Sequence, residues 1–229
     1  MQARFSEQEF LNLKKLLSTY EWGLQTLLTK LRIVNEDLKE YQGIDVIDYI
    51  ASRVKTPASI ATKLYNLGFE LTADAAKQKL TDIAGIRVIC PFAKDINYLV
   101  NLIHLMPDVH VITEKDYINR PKKSGYRSYH MILQIPVFFA GHTENVTVEM
   151  QIRTEAMNFW ASLEHRVRYK FDGAIPKHLS DELSTIADQI SVLDDRMFNI
   201  HELVSMNNQE VPSITVNAQQ AQPLPTLHD

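Results

Sequence analysis

Residues Val148-Glu-Met-Gln-Ile-Arg153 alternate strictly between apolar and polar side chains. Along an extended strand successive side chains point to opposite faces. Val148, Met150 and Ile152 therefore turn toward a core, while Glu149, Gln151 and Arg153 project together on the other side. Ionised groups on a strand whose far face is buried need partners or a ligand. The segment predicts a sheet with one apolar face under helices and one polar face open to a ligand.

The chain around it supplies such a sheet. Ile86–Cys90 (IRVIC), Val109–Thr113 (VHVIT), Ser128–Ile135 (SYHMILQI) and Asn145–Arg153 (NVTVEMQIR) read as strands from β-branched content and alternation. Helices are expected at Pro57–Leu67, Asp95–Leu105 and Glu155–Tyr169. Strands interrupted by helices indicate an α+β class, an α/β mixed sheet with helical cover.

Two long stripes bracket this region. Phe10, Leu13, Leu17, Tyr20, Leu24, Leu27, Leu31, Val34, Leu38 and Tyr41 recur at alternating steps of three and four. So do Leu179, Leu183, Ile186, Ile190, Leu193, Met197, Ile200 and Val204. Both are helical patterns. Gly23 lies off the first stripe and is expected to divide it into two helices. The stripes are expected to pack on their own domain, with part of one left for a subunit interface. From Asn207 the chain is rich in Gln, Asn and Pro and is expected to be disordered. The expected organisation is N-terminal helices over 1–44, a core over 45–172, a C-terminal helix over 173–206 and a tail over 207–229.

Composition excludes several classes. With 45% hydrophobic and 23% charged residues, and only 7 Gly and 9 Pro, the 229 residues are not collagen-like or linker-rich. The longest apolar run, Ile135–Ala140, is far short of the roughly 20 residues of a membrane span. The opening MQARFSEQEF lacks the basic-then-apolar order of a secretion signal, and a single cysteine allows no intramolecular disulfide. A cytoplasmic location is expected. The net charge of −4 gives no expectation of nucleic-acid binding. Between Lys115 and Lys170, however, Lys and Arg outnumber Asp and Glu by nine to five, which suits a phosphate-bearing small ligand.

Three further segments carry candidate chemistry. In Arg53-Val-Lys-Thr-Pro-Ala-Ser-Ile-Ala-Thr-Lys63, Arg53 and Lys55 share one face of an extended segment. Thr56 suits an N-cap and Pro57 the first helical position. Ser59 and Lys63 then stand one turn apart. A basic strand end leading into a helix N-terminus can hold phosphate. In Thr81-Asp-Ile-Ala-Gly-Ile-Arg87, Asp82 precedes a strand and is a candidate for Mg²⁺ shared with nucleotide phosphates. Arg87 faces opposite to Ile86 and Val88, and Cys90 reads as a core residue. In Lys115–Gly125 four basic residues, Lys115, Arg120, Lys122 and Lys123, crowd one loop. Tyr126, Ser128 and His130 follow on one strand face. An aromatic ring beside several cations suits a base joined to phosphates.

In this order and spacing, RVK…SI..K, DIAGIR, SGYRSYH and VEMQIRT..MNFWASLEH resemble the synthetase domain of the RelA/SpoT superfamily. The resemblance runs over roughly Tyr20 to Val204. The only His-Asp pair is His228-Asp229, so what is implied is a stand-alone small alarmone synthetase without hydrolase activity. The segments LLTKLRIVNED and ASLEHRVRYK…IPKHLSDEL look closer to the RelP branch than to the RelQ branch. The fold implied is a nucleotidyltransferase-like mixed sheet with helical extensions at both ends. The activity implied is Mg²⁺-dependent transfer of the β,γ-pyrophosphate of ATP to the ribose 3′-OH of GDP or GTP, releasing AMP. Arg53 and Arg87 would then sandwich adenine, and Lys55, Ser59 and Lys63 would hold the ATP phosphates. Asp82 would bind Mg²⁺, and Glu149 would act as base or second metal contact. Tyr126 would stack on guanine, with His130, Gln151 and Asn158 completing the acceptor pocket and Lys122 and Lys123 meeting the acceptor's phosphates. The resemblance also implies a homotetramer built through the terminal helices.

Two other readings stay open on sequence alone. A different nucleotidyltransferase would release pyrophosphate instead of AMP. An inactive nucleotide- or RNA-binding module would gain nothing from Asp82 and Glu149 beside an anion.

Overall fold

Among the described residues five strands form one sheet in the order β1-β2-β5-β4-β3. They are β1 (Tyr49–Val54), β2 (Ala84–Cys90), β3 (His110–Asp116), β4 (Tyr129–Phe139) and β5 (His142–Thr154). The pair β2–β5 is parallel and the other three are antiparallel. Among the described residues six helices accompany them: α1 (Glu7–Gln42), α2 (Pro57–Asn66), α3 (Ala73–Lys79), α4 (Ala93–Leu105), α5 (Glu155–Lys170) and α6 (Lys177–Asn208). The computed structural model describes residues 4–171 and 175–208. The expected disorder of the tail concerns residues that lie, from 209 on, outside those described. Residues up to Asp195 make one compact unit, and the last turns of α6 belong to a second.

The two-residue alternation operates as expected. Val148, Met150 and Ile152 are buried with Ile86, Val88 and Cys90 of β2 and Met131, Leu133 and Ile135 of β4. Leu13, Tyr20, Leu24, Leu27 and Leu31 of α1 and Ile96, Leu99 and Ile103 of α4 complete that core. The first stripe is thus almost wholly engaged by its own domain. The second stripe divides: Leu183, Ile186 and Ile190 pack around Trp160, whereas Leu193, Met197, Ile200 and Val204 are exposed.

Gly23 does not break α1, which runs unbroken for 36 residues from its Ser6 N-cap to Gly43. Its reason for being there is contact. A Cβ at Gly23 would lie 2.6 Å from the side chain of Val146, so α1 seats on the sheet only where a side chain is missing. Gly23→Ala should therefore lower stability by about 1–2 kcal/mol, overpacking outweighing the better helix propensity of alanine. Urea unfolding checks this. Adding Val146→Ala should leave the double variant about 1 kcal/mol more stable than the two single effects predict.

Other departures from the sequence reading are at ends and edges. β4 and β5 run on as a hairpin to Phe139 and from His142, joined through Gly141 at φ 102°. Pro136 is tolerated there because β3 pairs β4 only as far as Gln134, and beyond it that side of β4 is an edge. α3, capped by Thr72, has no apolar periodicity to announce it.

Candidate active site

The polar face of the sheet is organised in rows across the strands. Register aligns Arg53, Gly85, Glu149 and Ile132 in one row, and Ala51, Arg87, Gln151, His130 and Lys115 in the next. Opposed residues in a sheet share a face, so Arg53, Arg87, Glu149 and Gln151 surround one opening. Gly85 carries no side chain between Arg53 and Glu149, and this gap is the floor of a cleft of about 100 Å³. A Cβ there would meet nothing closer than 3.9 Å, so the space is open.

Past Arg53, where β1 leads into α2, stand the phosphate candidates. Lys55 Nζ and Lys63 Nζ both bond Asp82 Oδ2, at 3.0 and 2.6 Å. Burial raises the Asp82 carboxyl, but hydrogen bonds from Lys63 and Lys55 and their charges prevail, and it stays below the usual carboxylate range. Its other oxygen, Oδ1, is buried and has no hydrogen-bond partner among the described residues. The α2 N-terminus is built as expected: Thr56 Oγ1 accepts from the Ser59 N–H and lies 2.9 Å from Ser59 Oγ. Lys55, Ser59 and Lys63 border a common concavity beside that terminus.

No cluster of three metal-capable side chains occurs among the described residues. A single carboxylate with an unpartnered buried oxygen fits Mg²⁺ nonetheless, since that ion commonly takes one or two carboxylates and completes its shell with water and substrate phosphate.

On the β4 side of Gln151, Tyr126, His130 and Arg153 form a connected network. Arg153 Nη2 donates to Tyr126 Oη at 2.7 Å and to Gln151 Oε1 at 2.6 Å. Tyr126 Oη and His130 Nε2 are 2.7 Å apart. Arginine can only donate, so the tyrosine proton is left for His130 Nε2. Burial, then the charges of Arg153, Lys122 and Lys115, push His130 down to about 4, so the ring is neutral at pH 7. A neutral ring accepting at Nε2 carries its proton on Nδ1. That N–H faces Glu149 Oε1 at 3.9 Å. Lys122 Nζ sits 4.7 and 4.8 Å from the ring centroids of Tyr117 and Tyr126, and the Arg153 guanidinium 5.1 Å from Tyr126.

Two candidates stand apart from this network. Lys123 is exposed on the loop. Asn158 is buried, and its amide is bound by Arg87 Nη1 at 3.2 Å and donates to Tyr49 Oη at 3.0 Å, so it braces Arg87. Two contributors carry no role on sequence alone. Arg153 belongs to the polar row, but only the fold shows it holding Tyr126 and Gln151 together. Tyr117 stacks edge-on against His130 with centroids 5.2 Å apart, and nothing in its sequence context marks it.

A region found in RelA/SpoT proteins matches residues 52–174. This chain belongs to the RelA/SpoT family. The matched segment begins in β1 and holds every residue of the cleft except Ala51. GTP pyrophosphokinase YwaC of Bacillus subtilis is 41% identical over 191 residues, 83% of this chain and 91% of that protein. GTP pyrophosphokinase YjbM of the same organism is 36% identical over 188 residues, 82% and 87% respectively. Among solved structures, the small alarmone synthetase 1 of Bacillus subtilis bound to its product pppGpp superposes with a TM-score of 0.74 at 35% identity. That match covers 83% of this chain and 97% of that one. The α+β mixed sheet is thus that of small alarmone synthetases within the RelA/SpoT family.

Proposed function

We propose that this chain is a (p)ppGpp synthetase, transferring the β,γ-pyrophosphate of ATP to the ribose 3′-OH of GDP or GTP. The observation that carries the reading is a pair of unlike polar groups on either side of the cleft that Arg53, Arg87, Glu149 and Gln151 line. Asp82, held by two lysines with an oxygen free, lies on one side, and the Glu149–His130–Tyr126–Arg153 chain lies on the other. The names of YwaC and YjbM, and the pppGpp held by the small alarmone synthetase 1, support it.

The chemistry follows from the residues. The ribose 3′-oxygen attacks the β-phosphorus of ATP, the bond from that phosphorus to the α,β-bridging oxygen breaks, and AMP leaves. Such a transfer needs charge neutralised on the moving group and the nucleophile held in line. Lys55, Lys63 and Ser59 bind the triphosphate, and Arg53 and Arg87, in neighbouring rows of β1 and β2 on the lining of one cleft, take adenine between them. Tyr126 stacks on guanine, Gln151, whose Oε1 accepts from Arg153, offers its amide N–H groups to the acceptor, and Lys122 and Lys123 meet the acceptor's phosphates. Glu149 accepts the 3′-OH proton. Asp82, joined by Glu149, would hold Mg²⁺, which when bound lowers the charge on the pyrophosphoryl oxygens.

A homotetramer formed through the terminal helices is part of the proposal, supported by the exposed Leu193 and, further along α6, the exposed Met197, Ile200 and Val204. A cytoplasmic site of action is consistent with the finding that no helix among the described residues is long and apolar enough to cross a membrane.

Incubating the purified chain with γ-labelled ATP, Mg²⁺ and GDP or GTP tests the reaction. Label should pass to a more highly phosphorylated guanosine with release of AMP, and chelation of Mg²⁺ should abolish it. Release of pyrophosphate would make the chain a nucleotidyltransferase. Binding of both nucleotides without transfer would make it an inactive binder.

A further inference from the structure

Helix α6 is wedged against the segment that carries Tyr126. Gly125 is buried at φ 88°, and a Cβ there would lie 2.6 Å from Ala187 Cβ and 3.2 Å from Ser184 Cα, so the α6 backbone touches the acceptor loop directly. Tyr126 packs on a cluster in which Trp160, Ala161 and Ala187 are joined by Leu183, Ile186 and Ile190. The next residue, Arg127, donates from Nη2 to Asp188 Oδ1 at 2.8 Å. Its side chain is only 16% exposed while that of Asp188 is 70% exposed, so the aspartate reaches in to a cation that water scarcely reaches. Arg127 Nε is buried without a partner among the described residues, which makes Asp188 the more important to this guanidinium.

Two further bonds hold α6 in place. Trp160 Nε1 donates to Leu183 O at 2.9 Å, and Thr154 Oγ1 donates to Asp194 Oδ2 at 2.5 Å. The points of attachment thus run along α6 from Leu183 to Asp194, roughly 16 Å at the rise of an α-helix. The seam between them leaves only about 10 Å³, no more than one water fills. On its other side the segment is tied to β5, where Arg153 Nε donates to Ser128 Oγ and Ser128 Oγ donates to Ile152 O.

We propose that α6 from Leu183 to Asp194 is the rear wall of the guanosine acceptor site, and that Asp188 is a positioning residue that sets Tyr126 through Arg127. The proposal rests on the synthetase reading for the identity of the acceptor. Its physical basis is preorganisation. An aromatic platform already fixed loses little freedom when a base stacks on it, and one whose loop is released must be ordered by the ligand. Four of the candidate ATP residues, Arg53, Lys55, Ser59 and Lys63, lie on or next to β1 and on α2, beyond β2 and β5 from this seam, and the fifth, Arg87, is tied to α5 through Asn158 and has no bond to α6 among the described residues. Disturbing α6 should therefore weaken the acceptor and spare ATP.

The test measures KM for each substrate, and calorimetric binding of GDP, in the full chain and in Asp188→Lys, Asp188→Glu and Ala187→Leu. The reversed charge in Asp188→Lys should raise KM and Kd for GDP about five- to tenfold, with KM for ATP within twofold of the parent. Asp188→Glu should stay within twofold for both. Ala187→Leu, which pushes on Gly125 without altering any charge, should reproduce the acceptor-selective loss even if Asp188→Lys does not fold. Equal weakening of both substrates, or no change for GDP in both Asp188→Lys and Ala187→Leu, would overturn the proposal. Should the parent chain make no alarmone while Asp188→Lys still weakens GDP binding, the synthetase reading would fall and the positioning role would stand.

Discussion

Asp82→Asn will reduce pyrophosphate transfer by roughly 10³-fold while leaving a folded protein, the scale expected when charge stabilisation at a transferring group is removed. The asparagine is nearly isosteric, so its oxygen can still face Lys55 and Lys63, and the sheet beneath is untouched. What is lost is the negative charge on the buried oxygen that has no partner among the described residues. The aspartate's depressed pKa makes the charged form stabilising above the usual carboxylate pKa, a contribution lost as pH falls through the lower folded value. The variant should therefore melt slightly below the parent at neutral pH. Labelled-ATP assays with circular dichroism melting check both parts. A folded Asp82→Asn within tenfold of the parent would remove Asp82 from the chemistry.

Glu149→Gln should lower kcat by about 10²–10³-fold with KM for GDP nearly unchanged, the magnitude typical of a lost general base. Glutamine fills the same space in the row between Gly85 and Ile132 but cannot take a proton. His130 cannot replace it readily, because its Nε2 accepts from Tyr126 and its Nδ1 holds the proton that faces Glu149. Steady-state kinetics decide the matter. A kcat near that of the parent, or a large rise in KM with kcat preserved, would make Glu149 a binding group.

Much of the site is legible in the sequence because a strand repeats every two residues and a helix N-terminus has a recognisable start. Alternation alone assigns Glu149, Gln151 and Arg153 to one face, and the Thr-Pro start assigns Ser59 and Lys63 to the first turns of a helix behind Thr56 and Pro57. Gly23 is not legible in this way, since an isolated glycine in a helical stripe looks the same whether it ends the helix or admits Val146. The family resemblance puts Asn158 in the acceptor pocket, whereas the structure ties its amide to Arg87 and Tyr49. Only the packing angle of α5 determines which way that amide turns.

By itself the sequence determined four of the five strands, the apolar and polar faces of β5, the two helical stripes and the charged and amide side chains that line the cleft, because each of these depends on neighbours a few residues away. Tertiary structure alone decided which of them meet. The parallel pairing of β2 with β5 sets Gly85 beside the distant Glu149, and α6 returns from far along the chain to press Ala187 onto Gly125. Local periodicity carries no information about such register, which is selected by how two distant apolar faces fit one core and by the chain length available to cross between them.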